Sequence, residues 1–161
     1  MDYKIRKANI KDAKSVNELL TLLIRDEKKY DININEECTI ERLYEDIIPN
    51  ENGIVLIAEK DKKILGYLFG YIIENGNAYL EKSAKLEALY IDEKYRKNGI
   101  ATSLIEKFKI WSKEKKVKYI EVQVLNENVS AYNLYKKEEF KEFKSTLLME
   151  LKEQKWNFCF Y

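Results

Sequence analysis

The chain has 161 residues, 29 basic and 28 acidic, with a net charge of +1, two cysteines and no histidine. Near-neutral charge gives no support for a nucleic-acid or membrane-surface protein, and the missing imidazole removes Ser-His-Asp and Cys-His catalysis along with the commonest metal ligand. Cys38 and Cys159 are too few for a zinc site or a disulfide framework, so no metal is expected. No apolar leader is seen and no apolar run approaches the roughly 20 residues of a membrane span. The expectation is one cytoplasmic domain, 1–161, with no membrane partner.

Hydrophobic periodicity orders the chain. Tyr3 and Ile5 open a short strand at 3–8, and Asn9 or Asp12 can cap the helix that follows. There Val16, Leu19, Leu20, Leu23 and Ile24 recur at helical spacing until about Lys28. Residues 30–38 read as a loop. Thr39 is expected to cap a second helix, striped by Ile40, Leu43, Tyr44, Ile47 and Ile48, with Pro49 marking its exit. Two β-rich runs, 54–59 and 64–73, are joined by a short polar link that predicts an antiparallel hairpin. Asn75-Gly76 is a turn signal before the strand at 85–91. Ile100, Leu104, Phe108 and Trp111 stripe a third helix to about Lys115, and Ile120, Val122 and Val124 alternate along a strand at 119–124. A fourth helix is expected at 130–137, and 140–151 is expected to carry the last one or two strands. The order β-α-α-β-β-β-α-β-α-β predicts an α/β (α+β) fold: a mixed, mostly antiparallel central sheet of six to seven strands with helices on both faces.

The stretch 86–103 contains the most chemistry. An apolar strand passes through a charged turn into Arg96-Lys97-Asn98-Gly99-Ile100-Ala101 and a helix N-terminus. Unpaired N–H groups and the helix dipole there make an anion site, and small residues allow close backbone approach. The alternative is an ordinary strand-to-helix turn with Gly99 at its strained position. Nucleotide P-loop and dinucleotide glycine patterns are both absent.

Three pieces in order carry a resemblance: the strand Leu86-Glu87-Ala88-Leu89-Tyr90-Ile91, the pattern Arg96-x-x-Gly99-x-Ala101, and Asn128-x-x-Ala131-x-x-x-Tyr135 running to Phe140. Together they resemble the acyl-CoA-binding core of the GCN5-related N-acetyltransferase superfamily and imply the acyl-CoA N-acyltransferase fold. In that fold the fourth and fifth strands are parallel and splay apart around the cofactor. The resemblance implies acetyl-CoA as co-substrate, with Arg96, Lys97, Asn98, Gly99, Ile100, Ala101 and Thr102 at its pyrophosphate. It also implies a bulged strand in which the backbones of Leu89, Tyr90 and Ile91 bind the pantetheine arm and polarise the thioester. Glu87 is the candidate general base, since an ammonium must lose a proton before it can attack; the alternative is an outward polar residue on an alternating strand. Tyr135 is the candidate general acid toward the departing thiolate. Asn128 either caps its helix or contacts the cofactor arm, with Asn126 the match if the register slips. Glu81 and Asp92 read as solvated loop charges. The family usually has Gly where this chain has Glu139, before Phe140.

These readings imply transfer of an acetyl group to a primary amine by direct attack in a ternary complex. The acids at Asp31, Glu36 and Glu37 lean toward a small cationic acceptor. The alternatives are a protein N-terminal or lysine acetyltransferase and a non-catalytic acyl-CoA sensor. The aromatic tail, Trp156 to Tyr161, is expected to pack within the chain, with a homodimer contact as the second reading.

Overall fold

The computed structural model describes residues 1–151; the aromatic tail lies outside the described residues. Five strands form one sheet in the order β1-β2-β3-β4-β5: β1 (Lys4–Lys7), β2 (Gly53–Lys60), β3 (Lys63–Ile73), β4 (Ser83–Ile91) and β5 (Tyr119–Val122). The first three pairings are antiparallel and β4 with β5 is parallel. The β2–β3 hairpin turns on Asp61 and Lys62, both at positive φ (50° and 63°), the two-residue geometry whose twist matches flanking strands.

Helices cover both faces. On one, α3 (Ile100–Glu114) lays Leu104, Ile105 and Phe108 against Leu56, Leu68 and Leu86. On the other, α1 (Ala13–Glu27) and α2 (Tyr44–Ile47) pack Val16, Leu19 and Tyr44 onto Ile57, Tyr67 and Ala88. The last helix, α4 (Val129–Lys137), follows β5. Asn9 caps a 3-10 turn at Ile10–Asp12 that leads into α1, its side chain accepting from the Lys11 N–H while Asp12 accepts from the Asn9 N–H.

Two expectations are corrected. The second helix is one turn, Tyr44–Ile47, rather than running from Ile40 to Ile48, and Thr39 does not cap it. Instead the preceding chain is held by side chains of α1: Thr21 Oγ1 accepts from the Ile40 N–H (3.0 Å), and Asn17 Oδ1 accepts from the N–H groups of Leu43 (3.3 Å) and Tyr44 (3.0 Å). The Asn17 bonds take the Leu43 and Tyr44 N–H groups that a helix starting at Ile40 would bond to the carbonyls of Thr39 and Ile40, while Thr21 holds an N–H that such a helix would leave free. The sheet has five strands rather than six or seven, because 141–151 runs without a strand partner among the described residues and every side chain there is exposed. Among the described residues no helix is long and apolar enough to cross a membrane.

Candidate active site

The site is built around a change of face in β4. Ala84 and Leu86 belong to the core beneath α3, whereas Ala88 and Tyr90 belong to the core beneath α1. A regular strand would keep all four on one side. The switch is a β-bulge: Phe69 of β3 pairs with Ala88 and Gly70 pairs with Leu86, so Glu87 has no opposite residue. The bulge expected from the resemblance is therefore present, and Glu87 is its extra residue. On the other side of β4, pairing with β5 ends at Leu86–Val122. From Glu87 to Ile91 the strand runs on without a β5 partner, which is the splayed arrangement expected of these two strands.

Beyond β4 the chain makes a 3-10 turn, Glu93–Tyr95, capped by Asp92, whose Oδ1 accepts from the Lys94 N–H (3.1 Å). Lys97 and Gly99 then adopt positive φ, 62° and 77°. For Gly99 the conformation alone demands glycine, because the nearest atom to an added Cβ would be the Tyr3 hydroxyl at 3.7 Å. The first helical bond of α3 runs from the Ser103 N–H to the Gly99 carbonyl (3.0 Å). Among the described residues nothing accepts from the N–H groups of Lys97, Asn98, Gly99, Ile100, Ala101 and Thr102. Six consecutive free amides, the last at a helix N-terminus, form an anion-binding concavity. The donor set fits the phosphates of an acyl-CoA.

Side chains divide differently. Asn98 Nδ2 donates to the carbonyls of Tyr95 (3.1 Å) and Arg96 (3.0 Å) and so shapes the loop. Arg96 donates through Nε to the Ile91 carbonyl (3.0 Å) and through a terminal nitrogen to Asp26 (2.6 Å), while its guanidinium lies 5.3 Å from the centre of the Tyr90 ring. Its charge is thus engaged between β4 and the end of α1, and Lys97 is the loop's uncommitted cation among the described residues. Asn128 Oδ1 accepts from the Ala131 N–H (3.1 Å), which is the capping alternative. Glu81 pairs with Lys118 (2.7 Å).

On the α1 face a cavity of about 270 Å³ opens beside the bulge. Leu20, Leu23, Tyr44 and Phe69 make it mostly apolar, and Glu27 and Glu87 bring two carboxylates to it. Glu87 is exposed, ion-paired with Lys85 (2.8 Å), and accepts from the Tyr71 hydroxyl (3.4 Å). Burial pushes the Glu27 carboxyl above its ordinary range, and Asp31 adds to the rise. Of the expected acids in the 30–38 loop, Glu36 and Glu37 are exposed and Asp31 accepts from the Asn33 N–H (2.9 Å); none lines the cavity. Glu27 was missed. The signal was available: it continues the Leu20, Leu23, Ile24 stripe by the same three- and four-residue steps, a carboxylate where the helix should be apolar.

Tyr135 is half-buried on α4, its ring edge-on to Phe140 with centroids 5.6 Å apart. Burial pushes its phenol up to about 12, with the Glu27 charge adding to the rise, so the group keeps its proton at neutral pH. Among the described residues no hydrogen bond joins Tyr135 to Glu87, and the two are not brought into contact by the fold alone.

A splayed, bulged central strand running into a loop of free amides defines an acyl-CoA N-acyltransferase fold, and comparison with known proteins agrees. The chain belongs to the acetyltransferase (GNAT) family, whose family model matches residues 18–140. Among solved structures it is similar to a mutant of the protein BH1408 from Bacillus halodurans, at 22% identity and a TM-score of 0.83 over 92% of this chain and 99% of that one. It is also similar to an aminoglycoside acetyltransferase, meta-AAC0020, from an uncultured soil metagenomic sample (20% identity, TM-score 0.72, 93% and 97% covered). A third is the aminoglycoside N-acetyltransferase AAC(6')-Iy in complex with CoA (17% identity, TM-score 0.70, 92% and 99% covered). At these identities the likeness establishes the fold. No curated protein matches the sequence.

Proposed function

We propose that this family member transfers an acetyl group from acetyl-CoA to the primary amine of a small cationic molecule, by direct attack in a ternary complex. One observation carries the reading: β4, without a β5 partner beyond Leu86, runs into six free amides and is flanked on its α1 face by a cavity bearing Glu27 and Glu87. The cofactor supplies an activated thioester. The 97–102 amides hold its phosphates, and the open edge of β4 at Leu89 to Ile91 binds its amide-bearing arm as an added strand and donates to the carbonyl oxygen as charge grows there. Glu87, directly or through a water, accepts the proton of the ammonium; the freed nitrogen attacks the carbonyl carbon as the C–S bond breaks. Tyr135 donates its proton to the thiolate and regains one from solvent as the acylated nitrogen sheds its second proton to water, leaving an amide and a thiol. No acyl-enzyme is required, as among the described residues no cysteine or serine lines the cavity.

The preference for a small cation rests on the cavity. About 270 Å³ of largely apolar space with two carboxylates suits an aliphatic chain carrying ammonium groups, whereas an extended peptide requires an open groove. The aminoglycoside acetyltransferases named among the similar structures lend it support.

The test is release of free thiol from acetyl-CoA across polyamines, aminoglycosides, amino acids and short peptides, alongside a thermal-shift titration with acetyl-CoA. Turnover with a polyamine or aminoglycoside is expected, and Glu87→Gln and Tyr135→Phe should each lower kcat by roughly 10²–10⁴ while leaving the cofactor-induced shift intact. No thermal shift would overturn the cofactor site, and turnover with peptides alone would overturn the choice of acceptor.

A further inference from the structure

The two halves of α1 are held in different ways. Its buried residues, Ala13, Val16, Asn17, Leu19 and Thr21, all lie in the part that packs on the sheet. Past Thr21 no residue of the helix is fully buried, and Leu23, Ile24 and Glu27 line the cavity instead. The last turns of α1 are thus one wall of the cavity, with only partly buried contacts beneath them. Arg96 spans from β4 to that wall. Its Nε donates to the carbonyl of Ile91, the last residue of β4 (3.0 Å), and a terminal nitrogen donates to Asp26 in the last turn of α1 (2.6 Å). Among the described residues this is the one side-chain hydrogen bond tying positions 22–27 to β4 or to the 92–102 loop. A guanidinium suits the span, since its rigid fork serves two acceptors at once while its face covers the Tyr90 ring, 5.3 Å away.

We propose that Arg96 is a positioning residue for the acceptor and not a ligand of the cofactor: bridging Ile91 and Asp26, it fixes the α1 wall at its distance from β4 and so sets the affinity for the amine. The inference rests on the proposed acceptor cavity. Asp26 is the neighbour of Glu27, so an outward move of the last turn carries that carboxylate away from Glu87 on the opposite wall. With the bridge broken, the wall is closed for only part of the time. The amine then binds that fraction alone, and its apparent affinity falls in proportion. The phosphates of the cofactor are unaffected, because the backbone amides of 97–102 hold them and the Arg96 side chain points to α1.

Asp26→Asn, Arg96→Lys and Arg96→Gln test it, read by hydrogen exchange over 22–27, the Kd for acetyl-CoA and the KM for the amine. Each should exchange faster at 22–27 and raise the amine KM roughly five- to tenfold, the scale of one charge-assisted hydrogen bond, with the Kd for acetyl-CoA held. Asp26→Asn combined with Arg96→Lys should be no worse than the more damaging single change, since both break the same bridge. The sign separates positioning from charge. Asp26→Asn removes a negative charge and Arg96→Gln a positive one, so a purely electrostatic effect on a cationic amine would move KM in opposite directions. If Arg96→Gln loses its circular-dichroism spectrum, Asp26→Asn and the charge-conserving Arg96→Lys make the same test. Opposite KM changes, wild-type exchange at 22–27, or faster exchange with an unchanged amine KM would each overturn the proposal. So would an acetyl-CoA Kd weakened in Arg96→Lys by as much as the amine KM. Exchange requires no acceptor: faster exchange in a chain that turns over no amine would support the bridge and overturn the proposed reaction instead.

Discussion

Gly70 of β3 lies under the ring of Phe108 in α3: a Cβ built on it would stand 2.4 Å from the ring's Cζ and 2.8 Å from the Lys85 carbonyl. The glycine is required by close approach, and the approach matters to the site because Gly70 pairs with Leu86 immediately before the bulge at Glu87. Gly70→Ala should push α3 away from the sheet at a cost of about 1–3 kcal/mol, lowering Tm by about 2–4 °C per kcal/mol for a chain of this length. Thermal melts of Gly70→Ala and of the double variant with Phe108→Leu check it. The smaller second side chain should restore part of the loss; equal losses in the single and double variants would show that the contact is not the cause.

Glu139 makes the opposite prediction. Helix α4 ends with the Glu139 N–H donating to the Lys136 carbonyl (3.1 Å) and the Phe140 N–H donating to the Tyr135 carbonyl (3.0 Å), while Phe140 packs on the Tyr135 ring. This is a Schellman end, and it holds Glu139 at φ = 68°, the conformation glycine adopts without strain. Glu139→Gly should stabilise by about 1 kcal/mol and raise Tm by about 2–4 °C. The turn also orients Tyr135, so acetyl transfer should be unchanged by a substitution that preserves the turn. A melt at or below the wild-type temperature would refute the strain.

The buried Asn17 amide is the hinge between α1 and the chain entering α2. It donates to the Glu41 carbonyl (3.0 Å) and to Glu45 (2.9 Å), and it accepts from the Leu43 and Tyr44 N–H groups. Asn17→Ala strands those partners, the Tyr44 N–H among them in the core, and should cost about 1–3 kcal/mol. Because Leu43, Tyr44 and Ile47 line the cavity, the KM for the amine should rise while that for acetyl-CoA holds. Denaturant melts and the two KM values separate these effects.

Much of this was legible beforehand because local chemistry fixes it. Gly99 in a strand-to-helix turn, the Asn128 cap and the period of the Leu104–Phe108 stripe are each decided by near neighbours in sequence. The failures have a common cause in distance along the chain. Residues 39–48 carry a helical stripe, but Asn17, on a helix earlier in the chain, claims the Leu43 and Tyr44 N–H groups that a longer helix would use. The 140–151 strand pattern has no strand partner among the described residues. The pairing of Arg96 with Asp26, seventy residues away, is likewise invisible from the loop's own sequence. Glu27 ends the apolar stripe of α1 as a carboxylate, and a periodicity counted on apolar side chains alone passes over it.

Glu27 also supports a pH prediction, with its sign fixed by burial. Its carboxyl titrates above the ordinary value of 4.5 in the folded chain and near that value when unfolded. The folded state therefore holds this proton to higher pH. Below about 4.5 both states are protonated and the residue has no net effect; above the raised value the folded chain bears the full cost of an ionised carboxylate in a mostly apolar cavity. Glu27→Gln should accordingly raise Tm at neutral pH, with the gain fading as pH falls through the raised value toward 4.5. An ammonium bound in the same cavity would favour ionised Glu27 and draw its pKa back down. In the wild type the KM for a cationic amine should thus fall as pH rises through the raised value, and in Glu27→Gln that limb should vanish while the KM for acetyl-CoA stays put. Identical amine KM profiles in the two proteins would mean that Glu27 faces the cavity without touching the acceptor.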